Sequence, residues 1–536
     1  MAGVVAAGHE KTAEAGKEIL LAGGNAFDAA VGALLAACVA EPTLTSLAGG
    51  GFLLAHRADG SADGENTLFD FFTQTPGSRS HCQQPDFYPI EANFGDTVQA
   101  FHVGLASMAV PGLLAGVLTV HRKLGRLPLK VVAEPAIVCA RSPLRITPFQ
   151  SYCYELLDSI LMATEGSRQM FAPEGQRLTV GDSLDLRQLG DTLEYLAGLG
   201  DDAAYKAFYE GEFAQQVVRD CEAGGGYLTR GDFQNYRVIE RSPLSINYRG
   251  VQLLTNPPPS AGGSLIAFCL ELLDRFDLQK MAFGSEDHLT LLTQAMRWTN
   301  VARRTHLDGN LFDAEIADKF VAADLVDKYV QPLEALIGDG FNRWGSTTHI
   351  SVMDDEGNAA SVTSSNGEGS SYVIPGTQIM MNNMLGEEDL NPHGFNQWPM
   401  GQRMSSMMAP TMILKDGRPQ LVLGSGGSNR IRTAILQVIS NILDFKMPLS
   451  DAVGAARVHW EGGTFHLEPG LLSSDWKPMA SDSLGTQQVV CWQQPNMFFG
   501  GVHSVGLDAE SCLAGAGDPR RSGYVAVADV TKENRK

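Results

Sequence analysis

The sequence predicts a layered α+β fold in which helices flank central antiparallel strands. Helical patterning dominates residues 10–40 and 105–240, while strand-like segments crowd the chain after residue 345. A hydrophobic content of 44% without long biased tracts, in a chain of 536 residues, suits one large buried core, although the length also admits more than one domain.

Residues 10–40 read as helices around the turn Gly23-Gly24-Asn25, with Asp28 near the start of the second and small residues from Ala29 to Val39 that allow close packing. A glycine-rich run, 47–54, then enters a strand. Across 105–240 the helical pattern is punctuated by Pro111-Gly112 and Leu127-Pro128. The proline-rich stretch 256–263 stops one strand and starts a helix over 264–273. Further strands are expected at 347–353, 359–365, 378–384, 411–414 and 420–424, followed by a helix over 430–445 and strands near 464–468, 488–493 and 523–529. No repeat or low-complexity linker divides the chain.

Forty basic against 61 acidic residues give a net charge of −21. That surface repels nucleic acid and anionic membrane, so neither is expected as a partner. The N-terminus lacks a basic stretch leading into an uninterrupted apolar run, and no window offers 18 uncharged apolar residues, so a cytoplasmic protein is expected, with an exported one whose signal has been removed as the alternative. The eight cysteines lie far apart without CxxC or His-Cys clusters and read as buried thiols rather than a metal site or disulfide framework. Histidines such as His9, His121 and His459 lack ligand spacing, and no metal or organic cofactor is expected.

The chemistry concentrates in 345–365. Residues 349–353 are β-compatible, 354–358 form a turn cluster, and 359–365 resume an extended pattern. If the turn centres on Glu356, Ile350 faces Val362 and Thr347 faces Ser365, with paired Cβ atoms about 4.5 to 5.5 Å apart. Cleavage before Thr347 would leave one residue with a hydroxyl and a free α-amine, whose ordinary pKa is about 7.7 to 8.0. Nucleophile and general base would then share a residue. The plainer alternative is a surface hairpin rich in Ser and Thr. His349 is expected to be structural and to point to the opposite face from the nucleophile.

Two later segments could serve that nucleophile. The apolar strand at 420–423 runs into Gly424-Ser425-Gly426-Gly427-Ser428-Asn429 just before a helix, so backbone N–H groups and the helix terminus could form an oxyanion hole. A phosphate-binding loop is the weaker alternative, since the Walker Gly-Lys-Ser/Thr is absent; tight packing is the plainer one. The segment Arg403-Met404-Ser405-Ser406-Met407 offers two adjacent hydroxyls and a cation.

Together these stretches resemble the γ-glutamyltranspeptidase family of N-terminal-nucleophile hydrolases. The blocks that carry the resemblance are GGNAFDAA (23–30), AGGGF (48–52), AVPG (109–112), PPPSAGG (257–263), TTHISV (347–352), MNNM (381–384), SSMMAPT (405–411), GSGGS (424–428) and DPR (518–520). The resemblance implies a four-layer αββα sandwich, one domain built from a large subunit, 1–346, and a small catalytic subunit, 347–536, after autoproteolysis between Ser346 and Thr347. It implies Thr347 as nucleophile, Ser365 where the family has a supporting Thr, Gly426 and Gly427 as oxyanion donors, and Ser405 and Ser406 as the substrate-binding pair. Glu387 is expected to receive an α-amine, and Asn366 and Arg403 join it as substrate-binding residues. Phe72 stands where the family carries an Arg for the glutamyl α-carboxylate, and a carboxylate buried there without a partner is costly. The implied activity is transfer or hydrolysis of γ-glutamyl or related acyl amides, with a small amide substrate and water or an amine as acceptor; a homo-oligomer is left open. The alternatives are a cephalosporin-acylase-like amidase that does not use glutathione, and a weak member retained as a binding protein.

Overall fold

The structure is a computed structural model that describes residues 2–58, 64–79, 82–93, 98–330, 346–391, 394–471 and 488–529. Its centre is a seven-stranded antiparallel sheet in the order Tyr524–Ala528, Gly3–Ala7, Thr348–Asp354, Ala359–Ser365, Gly50–Arg57, Glu65–Phe71 and Ile239–Arg241. Strands from both sides of the Ser346–Thr347 bond interleave in it, so neither part of the chain completes the sheet alone.

The hairpin Thr348–Asp354 and Ala359–Ser365 adopts the register expected from its turn. Ile350 lies opposite Val362 and Thr348 opposite Ser364. The turn is fixed by Asp354, whose Oδ1 accepts from the N–H groups of Glu356 at 3.0 Å and Asn358 at 2.9 Å.

Alternation along these strands sorts their side chains between two cores. Val5, Ala7, Leu53, Ala55, Ile350 and Val362 pack on the helices Glu10–Leu21, Ala26–Ala40 and Leu113–Leu124. The second of these begins with a capping box, in which Asn25 accepts from Phe27 and Asp28 N–H while Asp28 accepts from Asn25 N–H. On the other face, Val4, Ala6, Phe52 and Leu54 meet Leu253, Met412, Val422 and Leu423 of a second antiparallel sheet. That sheet runs Leu513–Ala516, Gly501–Leu507, Arg418–Gly426, Thr411–Lys415, Val251–Thr255 and Leu244–Tyr248. The helices Gly262–Leu273 and Arg430–Leu443 share its core. Buried hydroxyls tie the sheets together: Ser361 Oγ donates to Leu423 O at 3.0 Å and Ser351 Oγ to His503 O at 3.0 Å.

Several expectations need correction. The strand expected over 378–384 shrinks to Ile379–Met380. Beyond it Asn382 and Asn383 turn their side chains to backbone groups elsewhere, Asn382 Nδ2 to Ala48 O at 2.9 Å and Ala109 O at 3.0 Å, which replaces a ladder. The first strand, Gly3–Ala7, and Gly501–Leu507 were not anticipated, because their short Gly- and Ala-containing runs carry little β-propensity. The cysteines are free thiols but not uniformly buried: Cys491 and Cys512 are exposed, one at the end of a strand and one directly before a strand, and Cys82 and Cys139 are half-buried. Gly345 lies outside the described residues. Among those described, no helix is long and apolar enough to cross a membrane.

Candidate active site

Thr347 sits at the mouth of the hairpin, buried, one residue before the strand begins. Its neighbour Thr348 points toward the helices and donates to buried Glu41 Oε2 at 2.7 Å. Thr347 therefore faces the second sheet, where it lines a small cavity of about 50 Å³ with Ser346, Ser365, Glu368, Glu387 and Ser406. His349, two residues on, shares that face rather than the opposite one, as a period of two requires. It is structural as expected: fully buried, its ring nitrogens meet Thr363 Oγ1 at 2.8 Å and Ser351 Oγ at 2.9 Å. Burial, reinforced by His503, holds its imidazole well below the usual range.

Ser365 is brought to the bond that leads into Thr347. Its hydroxyl donates to the Ser346 carbonyl at 2.5 Å and accepts from Gly367 N–H at 3.0 Å. Ser346 is held at its other end as well, its N–H donating to Glu368 Oε1 at 3.1 Å. Ser364, on the opposite face, shares a 2.6 Å hydrogen bond with Thr45.

The glycines of the second sheet close against the backbone of Thr347. Gly426 ends its strand directly beneath the Thr347 carbonyl, where any Cβ would overlap that oxygen, and Gly427 has φ +125°, a conformation that favours glycine. Gly427 O accepts from Arg430 N–H at 3.0 Å in the first turn of the following helix. Arg521 donates from Nη1 to Thr347 O at 3.4 Å and from Nη2 to Met497 O at 3.3 Å. The cavity wall on this side is made by Ser428 and Ile431.

The remaining wall is acidic. Glu387 lines the cavity as expected, and beside it stands Glu368, which the sequence reading missed. A charged residue between the glycines of Asn366-Gly367-Glu368-Gly369, directly after a buried strand, was the available signal. Glu368 N–H donates to Asn383 Oδ1 at 2.9 Å and to Glu387 Oε1 at 3.2 Å. Burial raises both carboxyls above their ordinary range, Glu368 to about 7; for Glu387 the charge of Glu368 adds to the effect. Asp389 completes this wall and accepts from Ser428 Oγ.

Three expected substrate contacts do not reach the cavity. Asn366 turns its amide toward the carbonyls of Met380 at 3.3 Å and Met381 at 3.4 Å. Arg403 is buried behind Phe72, spending its guanidinium on the carbonyls of Phe72 and Arg237, on Tyr236 Oη, and on Asp70 at 3.6 Å. Ser405 faces a separate cavity, with Trp398 and Met404. Ser406 does line the Thr347 cavity, its Oγ accepting from Met408 N–H at 3.0 Å. Phe72 lines it too, stacked on Phe52 with ring centroids 5.5 Å apart. Among the described residues, no group of three His, Cys, Asp or Glu converges as ligands for a metal ion.

A buried Thr at a hairpin mouth, a glycine strand end beneath it and a hydroxyl on the preceding carbonyl meet around one small cavity. The chain belongs to the γ-glutamyltranspeptidase family, whose model matches residues 12–528. It is 33% identical over 535 residues to an Acylase ACY 1 proenzyme of a Pseudomonas species, an alignment covering 97% of this chain and 92% of the relative. It is 30% identical over 547 residues to the glutathione hydrolase proenzyme of Escherichia coli, covering 97% and 90% respectively. Among solved structures, the cephalosporin acylase from Bacillus halodurans superposes with a TM-score of 0.82 at 25% identity, covering 98% of this chain and 95% of that one.

Proposed function

We propose that this protein is a self-processing amidohydrolase or acyltransferase with Thr347 as its nucleophile. The observation that carries the reading is the hydrogen bond from Ser365 Oγ to the carbonyl of Ser346, the acyl half of the bond that would be cut. Thr347 Oγ attacks that carbonyl, Ser365 polarises it, and the amide shifts to an ester. Water then releases residues 1–346 from residues 347–536. The two pieces remain one domain, because each supplies strands to the central sheet, and the packing of helices, two sheets and helices is read as the four-layer αββα arrangement.

In the processed protein the freed α-amine takes the proton from Thr347 Oγ as the hydroxyl attacks a substrate amide, with Gly426 and Gly427 N–H groups holding the oxyanion. Water or an acceptor amine resolves the acyl-enzyme. Hydrolase relatives that use glutathione and acylase relatives support the class equally. Phe72 in the cavity, with Arg403 committed behind it, favours an acyl group without the γ-glutamyl α-carboxylate. Freshly made protein should resolve on a denaturing gel into pieces of 346 and 190 residues, the smaller beginning at Thr347, and Thr347→Ala should remain one inactive chain. A different N-terminus on the small piece would refute the assignment.

A further inference from the structure

The uncut chain carries an acyl group in its own site, and that group shows what the cavity recognises. In the proposed N-to-O shift the acyl half is Ser346, so the ester formed on Thr347 is an acyl-enzyme whose acyl group is an α-amino acid residue. Its carbonyl oxygen is held by Ser365 and the nitrogen on the adjacent carbon by Glu368 Oε1.

That second contact is a built site rather than a chance approach. Glu368 is 2% exposed, its backbone N–H is fixed by Asn383 and Glu387, and its Oε2 has no hydrogen-bond partner among the described residues. When Ser346 departs, Oε1 loses its donor as well, which leaves a buried carboxyl with two empty acceptor oxygens, costly until an N–H donor returns. Glu387 and Asp389 line the same cavity, and none of its described lining residues is Lys or Arg. The site therefore calls for N–H donors from the ligand.

We infer that the processed protein prefers donors with a free amine on the carbon next to the attacked carbonyl, that is α-aminoacyl amides, and that Glu368 binds this amine. The inference rests on Thr347 as nucleophile. Thr347 Oγ bonds the aminoacyl carbon, the amide C–N bond breaks, and the hydroxyl proton passes through the Thr347 amine to the leaving amine. Water then splits the ester, freeing the amino acid and restoring the hydroxyl. In a γ-glutamyl group the amine lies three carbons from the attacked carbonyl, so the two donor classes differ in where the ammonium must sit.

The test uses the processed protein and the p-nitroanilides of alanine, propionate, 4-aminobutyrate and γ-glutamate. Alanyl should exceed propionyl in kcat/KM by about tenfold or more, the scale of a hydrogen bond to a charged group, and should exceed 4-aminobutyryl and γ-glutamyl. In Glu368→Gln the alanyl-to-propionyl ratio should collapse by a similar factor, whereas a purely structural role would lower both rates together and leave the ratio in place. If Glu368→Gln fails to process itself, the wild-type comparison decides. Wild-type protein that cleaves itself yet treats alanyl and propionyl alike, or prefers 4-aminobutyryl or γ-glutamyl, overturns this inference alone. A chain that stays whole on the gel overturns the Thr347 assignment and this inference with it.

Discussion

The two walls of the Thr347 cavity are built by different means. One wall is sheet-borne: Ser365 ends a hairpin strand whose register is fixed by the turn at Asp354, Thr347 directly precedes the partner strand, and Gly426 ends a strand paired to Gly501. The other is carried by irregular chain, Phe72 after its strand together with Met384, Glu387, Asp389, Leu390 and Ser406 to Met408, in a region where side chains such as Asn382 and Arg403 are committed to distant backbone groups. Ladder hydrogen bonds repeat, so position along a strand dictates which way a side chain points. Irregular chain has no such rule, and adjacent residues there diverge: Ser406 enters the cavity while Ser405 faces another.

The largest effect that would break this contrast belongs to Arg403. If its role is to hold the backbone of Phe72 and Arg237, then Arg403→Ala strands buried acceptors and should cost about 3 to 5 kcal/mol of stability, read as a lower unfolding midpoint in denaturant. A variant with the wild-type midpoint but weakened donor binding would return Arg403 to the cavity and erase the distinction.

Gly427 sharpens the comparison from the sheet side. A β-branched residue is strained at φ +125°, so Gly427→Val should displace the backbone N–H groups proposed to hold the oxyanion. Turnover should fall about 100- to 1000-fold in protein that keeps its far-ultraviolet circular dichroism. Retained turnover in such folded protein would move the oxyanion hole elsewhere.

The smallest effect separates the two faces of one strand. Ser365→Ala removes a hydrogen bond to the Ser346 carbonyl and should slow self-cleavage roughly two- to tenfold. Ser364→Ala instead leaves buried Thr45 without that partner, so it should lower stability by about 1 to 3 kcal/mol and leave the cleavage rate near wild type. Equal slowing by both would show that the two faces of this strand do not divide cleavage from packing.

What could be read from the chain follows the same division. The helices at the start, the hairpin register and the glycine strand end were legible because each rests on local periodicity, a turn cluster or a backbone constraint carried by a few adjacent residues. His349 shows the limit of careless use of that periodicity, since its structural role was legible and its face was misassigned. Arg403, Ser405 and Asn366 were misplaced for a different reason, because resemblance fixes a residue's position in the chain but not the partner that competes for its side chain.

The sequence by itself determined the layered α+β class, the family and the hairpin register that carries Ser365 to the bond before Thr347, since these depend on spacing and on hydrogen bonds between near neighbours. Only the tertiary structure decided that Glu368, unremarkable between two glycines, meets Ser346 and Glu387 in one buried cavity, and that Arg403 is shut behind Phe72. Those outcomes depend on which distant groups burial forces together, because a charged or polar group removed from water takes the nearest complementary partner the fold supplies.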